Sequence, residues 1–552
     1  MDLFRKSLIC AIVFISIGPV EIFAFDYVIN DFTFYPIPNI QRPPKGVPFT
    51  DANFHTEIVR ITDAPIDVKG PKANYAQPGY PKHDIENADG SKLLIQSFSA
   101  PGWHVWNANP PYNKISNIVY YPGSSGQAID FRWDAVDPNV GYFEYQTKFW
   151  KYDISTNKAT ILHDFKNEFP SPDFALCTMQ EEGTCSDDSR YWAFIIKYYN
   201  DTHSPKWWIH AYVVYDKDYY GKDNGKVIYT LLEDNPKFKV CGDISMSPSG
   251  KYVVLGNTHF IYPRDFSSVR TGLLTPGHSD LAYSDEGREV MFGFGYRGSS
   301  LGGYWAAMED LETGELTWLT PIGLPRYHFS GNASEKKGWG LISTYQPKYP
   351  DPETVWGDHE VFMVELTRRT DPKPRVWRLA HTHTVRKDYA DAPFAKINKK
   401  GTKVWFGSAW GKAWSDLGSQ YDVYQINLPS TWYEDLKKGE FPPSTGLPAT
   451  NMPPTASISA TPLSGKPPLA VSFTGSGKDT DGTVVSYSWN FGDGSTSNQQ
   501  NASHTYEVPG SYTATLKVID NKGATGSAKV TINILKSDTT PPSIPIGVKT
   551  VK

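Results

Sequence analysis

Short runs of β-forming residues alternate with polar turn signals along most of this chain, and one order of the two recurs. It reads "NADGSKLLIQS" near residue 90, "VDPNVGYFEY" near 138, "SDDSRYWAFII" near 188 and "SPSGKYVVLG" near 250. "SDEGREVMFGF" near 287, "SEKKGWGLIST" near 338 and "NKKGTKVWFGS" near 401 complete a set of seven. A third strand follows several of them and ends in an acidic residue, as in "KFWKYDISTNKATILHDF" and "YWAAMEDLETGELTWLTP". A strand, a tight turn, a second strand and then a third and fourth about another turn make one small antiparallel sheet. Such units at a spacing of roughly 40 to 60 residues predict an all-β fold, a seven-bladed β-propeller over 25–441. Two unrelated β-sandwiches are the alternative. Helical periodicity is nearly absent, apart from "STWYEDLKKG" at the end of this region.

The pattern changes after a Pro-rich linker at 442–452. Beyond it "LAVSFTGSG", "VVSYSWNFGDGS", "GSYTATLKVID" and "GSAKVTINI" alternate apolar and polar positions, which predicts a small β-sandwich over 453–535. Residues 536–552 read as a linker towards a further module.

Length supports more than one domain, since 552 residues exceed what one core serves. Aromatic content is high, at 14%, with 17 Trp and 33 Tyr, a composition that fits half-buried strands and sugar stacking. The net charge of −5 excludes a broad nucleic-acid footprint but leaves a local anion site open. Arg5 and Lys6 ahead of an apolar run, with Ala24 as cleavage point, read as a secretory signal over 1–24, and no other stretch is long enough to span a membrane. Cys177 and Cys185 bracket "CTMQEEGTC" and suit a short disulfide in an oxidising compartment; no metal-type CxxC pair occurs.

In a propeller the first strand of each blade lines the axis, so chemistry is expected just ahead of each turn signal. Those positions hold His83-Asp84, Arg132-Trp133, Glu181-Glu182, Asp243, His278-Ser279-Asp280, His328 and Asp391 to Phe394. Three of the seven carry histidine in a chain with 13. His83 and His104 flank the Asp89-Gly90 turn and are expected on the two strands of one antiparallel pair or at their ends. His381 and His383, at i and i+2, are expected on one face of a strand, a workable metal geometry. Each also has a structural explanation: His278 as a strand-start residue bonded to backbone, Arg132 as a guanidinium stacked on Trp133.

Two resemblances follow. "DTDGTVVSYSWNFGDGSTSNQQNASHTYEVPGSYTATLKVIDNKGATGSAKVTI" resembles a PKD domain, through Trp489, the Phe491 to Gly494 turn, His504-Thr505-Tyr506 and Tyr512. That resemblance covers about 453–535 and implies an immunoglobulin-like β-sandwich that serves spacing, adhesion or polysaccharide contact. The stretches beginning "FRWDAVDPNVGYFEYQ", "HSDLAYSDEGREVMFGF", "HFSGNASEKKGWGLISTY" and "HTHTVRKDYADAPFAK" are similar to propeller polysaccharide lyases of the ulvan lyase and oligogalacturonate lyase types.

Such enzymes cleave uronic-acid polymers by β-elimination. A base removes the proton beside the carboxylate, and a cationic group or metal stabilises the intermediate. The resemblance implies His83 and His104 as catalytic pair; Arg132 is the candidate neutraliser and Tyr145 the candidate proton donor, which no motif fixes. Trp133, His278 and Asp280 would bind substrate. His328, His381 and His383 would hold a divalent metal (Ca, Mn or Zn), although Phe394 stands where that pattern expects a polar residue. The expected function is a secreted lyase on anionic polysaccharide, at the cell surface or in matrix glycans. The alternative is a non-catalytic propeller/PKD protein for glycan or protein binding and adhesion. A propeller peptidase or esterase is disfavoured, because the accessory catalytic domain that would carry a G-x-S-x-G elbow is missing.

Overall fold

The computed structural model describes residues 27–438 and 454–536 apart from short internal stretches, the longest being 119–130 and 346–355. The expected signal peptide and linker lie outside the described residues, as does the tail beyond 536. The chain divides into two compact units, Met1–Pro442 and Pro443–Lys552.

Among the described residues the first unit contains seven small antiparallel sheets taken up in chain order. The first is Lys92–Gln96, Trp103–Asn107 and Lys114–Asn117; the second runs from Arg132–Trp133 to Lys158–Asp164, the third from Phe174–Thr178 to Lys226–Leu232. The fourth begins at Asp243–Met246, the fifth at Ser279–Tyr283 and the sixth at Arg326–Ser330. In the seventh, Lys396–Ile397, Lys403–Ser408 and Asp422–Asn427 are joined by Glu57–Arg60 and Pro48–Thr50 from near the chain's start. All seven turn signals stand immediately before a strand, because each supplies the residues a tight turn needs.

Period-two alternation gives every sheet two apolar faces, and each face meets a different neighbour. Leu94 and Val105 pack with Trp133 and Phe143; Tyr142 and Phe149 pack with Trp192 and Phe194. Ala193 and Ile195, on the opposite face of the same strand, pack with Ile244 and Val253. The series continues through Val254 with Met291, Phe292 with Ile342, and Met363 with Phe406. Trp405 and Val423 of the seventh sheet then pack with Leu93 and Ile95 of the first. The sheets therefore follow one another in a closed cycle. The closure is pinned by Arg60, whose Nη1 lies 3.0 Å from Asp422 Oδ2, and by Thr62, which donates to Asp422 Oδ1 at 2.8 Å.

The second unit pairs Thr455–Thr461, Leu469–Lys478 and Asn501–Tyr506 in one sheet, and Val484–Asn490, Gly510–Asp520 and Thr525–Ile534 in another with two short edge strands. Val471, Phe473, Trp489 and Leu516 fill the space between them. Trp489 Nε1 donates to the Gln499 carbonyl, and the Tyr506 hydroxyl to that of Phe491. Among the described residues no helix is long and apolar enough to cross a membrane.

Candidate functional site

Residues from all seven sheets or the segments entering and leaving them line one cavity: Lys82, His83, Asp84, Arg132, Trp133, Asp187, Met246, Asp280, Asn332 and Lys399. The cavity measures about 50 Å³, which accommodates a few waters and no sugar ring. Four of the expected site residues meet here. His83 is only 4% exposed, and burial followed by the charges of Arg132, Lys396 and Lys82 holds its pKa well below the usual range, so it is neutral at physiological pH. Arg132 donates from Nε and Nη2 to the Gly183 carbonyl, and Trp133 Nε1 donates to that of Ile85. Asp280 accepts from the Gly331 and Leu281 amides, and burial pushes its carboxyl up to about 6 against the pull of Lys82.

A more open group of side chains gathers around Tyr80. Gly79 has φ +77, and a Cβ there would come within 2.7 Å of the Trp103 ring, so glycine is what lets the chain turn and present Tyr80. The Tyr80 carbonyl accepts from Lys396 Nζ at 2.6 Å, which ties the backbone to the seventh sheet. Its hydroxyl lies 2.6 Å from His278 Nδ1, and His278 sits edge-on to His328 with ring centres 4.5 Å apart. His328 is buried between that ring, Tyr345 and Phe394. Glu182 Oε1 stands 3.9 Å from His278 Nδ1, and its other oxygen is 3.1 Å from Lys82 Nζ, which also faces Asp243 at 3.7 Å. Burial raises the Glu182 pKa, but Lys82, the Tyr80 hydroxyl and His278 outweigh it, so the group stays a carboxylate. The side chains of His278 and Glu182 are 27% and 19% exposed, so a ligand can reach them where it cannot reach His83.

A hydroxyl–imidazole pair beside a carboxylate, over a lysine, is equipped to move a proton. Tyr80 and Lys396 did not emerge from the sequence. The one available signal for Tyr80 was its place three residues ahead of His83 in "GYPKH".

Other expected residues stand apart from this group. His104 is not among the residues lining the cavity. It lies opposite Ile95, with Nε2 bonded to Ser97 Oγ and Nδ1 to Asn117 Oδ1, both at 2.8 Å. The Asp89-Gly90 turn joins Glu86 to Leu93, so His83 precedes that pairing and His104 belongs to the next hairpin. Tyr145 closes the strand Val140–Tyr145 opposite Lys148 and packs at the edge of the core between the first two sheets.

The three histidines proposed as metal ligands divide between two places. His381 ends the outermost strand of the sixth sheet, where its amide and Nδ1 both meet Asp51 Oδ2 and its ring stacks on Phe54. His383 has φ +51, which turns the chain and breaks the expected strand geometry; its ring stacks on Trp410 with centres 3.9 Å apart. The His381 and His383 rings are 6.3 Å apart, and His328 belongs to the Tyr80 group. Among the described residues no group of three or more His, Cys, Asp or Glu is arranged to hold a metal ion, so these residues do not fit the expected divalent cation. Cys177, Cys185 and Cys241 are all free thiols.

Comparison with known proteins bears on the second unit. Residues 451–534 match the PKD domain family model. The second unit carries a PKD domain. Collagenase ColQ1 of Bacillus cereus (strain Q1) is 41% identical over 85 residues, 15% of this chain and 9% of that protein. A microbial collagenase of Vibrio alginolyticus is 35% identical over 105 residues, 19% and 13% of the two chains. This chain thus spans about a tenth of the length of these curated relatives. A solved oligogalacturonate lyase in complex with manganese is 13% identical, covers 74% of this chain and 99% of its own, and superimposes with a TM-score of 0.47.

Proposed function

We propose that the chain is an exported carbohydrate-active protein in which residues 25–441 form a seven-bladed β-propeller that cleaves uronate-containing polysaccharide by β-elimination. The PKD domain would hold that propeller near cell-surface or matrix glycans. The cyclic packing of the seven sheets supports the propeller, and the Tyr80–His278 hydrogen bond of 2.6 Å carries the chemistry. His278 takes the phenolic proton, and the Tyr80 oxygen removes the proton from the carbon beside the sugar carboxylate. The carbon–oxygen bond to the leaving sugar then breaks, a carbon–carbon double bond forms, and the proton passes to the leaving oxygen. Lys82 supplies positive charge beneath the developing enolate, a role expected of Arg132, and Lys396 positions Tyr80 through its carbonyl. His83 and Asp280 lie in the floor. No step is routed through a metal.

A non-catalytic glycan-binding role is favoured by one observation, the narrowness of the axial cavity. Ultraviolet detection of unsaturated sugar released from polygalacturonate, alginate, ulvan and glycosaminoglycans separates the two. Product on any of them supports the lyase; none on all of them supports binding alone.

A further inference from the structure

The third sheet carries a feature that the elimination chemistry does not use. Its second and third strands, Tyr191–Tyr199 and Trp207–Asp216, are the longest pair in the first unit among the described residues. Near their tip Leu176, Lys197, Trp207, Trp208 and Ile209 line an open groove of about 340 Å³. Trp207 is 49% exposed, an uncommon position for an indole without a partner surface.

The groove is a built surface. The Trp207 ring rests against Tyr199, whose hydroxyl donates to Asp201, and Asp201 also pairs with Lys206. Trp208 is held by a stack on His203 at 4.1 Å. The register of the two strands shifts between Ile196 and Lys197, so that Lys197 stands opposite Ile209. Bulges of this kind re-aim a side chain, and here the lysine lines an apolar groove. Among the described residues no hydrogen bond or ion pair engages the Lys197 ammonium, and burial draws its pKa below the ordinary lysine range.

We infer that this groove is a second glycan subsite, in which Trp207 stacks against the apolar face of a pyranose ring and Lys197 pairs with a carboxylate of the same acidic polysaccharide. The chemistry on both sides is complementary: a flat apolar ring with a carboxylate at its edge meets an indole with an unneutralised ammonium beside it. The fixed tip keeps the ordering cost of binding low. Position agrees as well. Phe174, where the chain enters the third sheet, pairs with Tyr198, so the Trp207 end of the hairpin lies on the entry side of its sheet. His278 precedes Ser279 on the entry side of the fifth. A long polymer could then touch both places. The inference rests on the polysaccharide reading above, and concerns binding alone.

Affinity electrophoresis of the full chain through gels containing polygalacturonate, alginate or ulvan tests it, with methyl-esterified polygalacturonate as the uncharged control. Retardation by at least one acidic polymer is expected. Trp207→Ala should weaken it by on the order of tenfold. Lys197→Met should weaken it on acidic polymer and leave any retardation by the esterified polymer unchanged. Circular dichroism of both variants checks that the substitutions leave the fold intact. Wild-type retardation that Trp207→Ala does not alter would overturn the subsite, as would an absence of retardation by every acidic polymer. A dimer in solution that Trp207→Ala dissolves would overturn it too, by assigning the groove to a second copy. Failure of the elimination chemistry shows differently, as retardation that depends on Trp207 without any unsaturated product.

Discussion

The Tyr80 hydroxyl and His278 Nδ1 lie 2.6 Å apart although 198 residues separate them in the chain. The first enters the first sheet and the second enters the fifth, so only closure of the cycle brings them together. If they move one proton as a unit, their losses do not add. Tyr80→Phe and His278→Ala should each reduce turnover by about 100-fold or more, and the double variant should fall little further. Single-turnover rates of the three variants on one polyuronate check this; multiplied losses would mean separate roles.

Asp280 predicts a pH dependence of stability. Its folded carboxyl titrates at about 6 because burial opposes the charge, whereas an unfolded aspartate titrates near about 3.9. Between those values the folded state holds the proton more tightly, so stability falls as pH rises from about 4 to about 6 and then levels off. Asp280→Asn should therefore stabilise the protein by up to about 3 kcal/mol above about pH 6 and change little near pH 4. Calorimetric melting at the two ends checks the sign. An equal effect at both would assign Asp280 a packing role.

The Asp51–His381 pair predicts a maximum between two limits. Burial raises the Asp51 pKa, but His381 more than reverses it; burial lowers that of His381, but Asp51 and Glu360 more than reverse that. The Asp51 contribution is present above its unfolded value and lost as pH falls through the lowered folded one. The His381 contribution is present below its unfolded value and lost as pH rises through the raised folded one. Asp51→Asn should cost about 3–5 kcal/mol near neutrality and less towards either extreme. Since these residues hold a charge pair, EDTA should leave the melting temperature unchanged; a fall restored by added cation would reinstate a metal.

Closure of the cycle predicts a third stability effect. Asp422 is fully buried and accepts from Arg60, Thr62 and the Ala64 amide. Asp422→Ala leaves the Arg60 guanidinium without its buried partner and should cost about 3–5 kcal/mol. Urea unfolding measures it. A cost under about 1 kcal/mol would show that the apolar contacts of Trp405 and Val423 close the cycle alone.

These relationships mark where reading the chain succeeds and where it stops. Turn chemistry is local, so "SPSGK" and "NKKGT" announce their turns whatever surrounds them, and alternation supplies the strands between. The same locality gathered His83, Arg132, Trp133 and Asp280, because each lies at the start of a sheet or in the segment entering it, and these line one cavity. Tyr80 was missed because its placement comes from a glycine turn and a lysine of the seventh sheet, neither visible as a pattern. His381 and His383 misled because the i, i+2 rule assumes extended backbone, and His383 leaves it at φ +51. His104 misled because a turn fixes which residues pair, and Asp89-Gly90 pairs Glu86 with Leu93.

Proton abstraction from an acidic sugar by Tyr80 is the step on which the proposed lyase activity depends. Formation of unsaturated product by the full chain on the polyuronate panel, compared with that of Tyr80→Phe at matched folding, tests it most directly. Product is expected from the wild type on at least one polymer, with a loss of about 100-fold or more in kcat for the variant and KM little changed. Wild-type turnover in Tyr80→Phe, or no product from the wild type on any polyuronate, would contradict it.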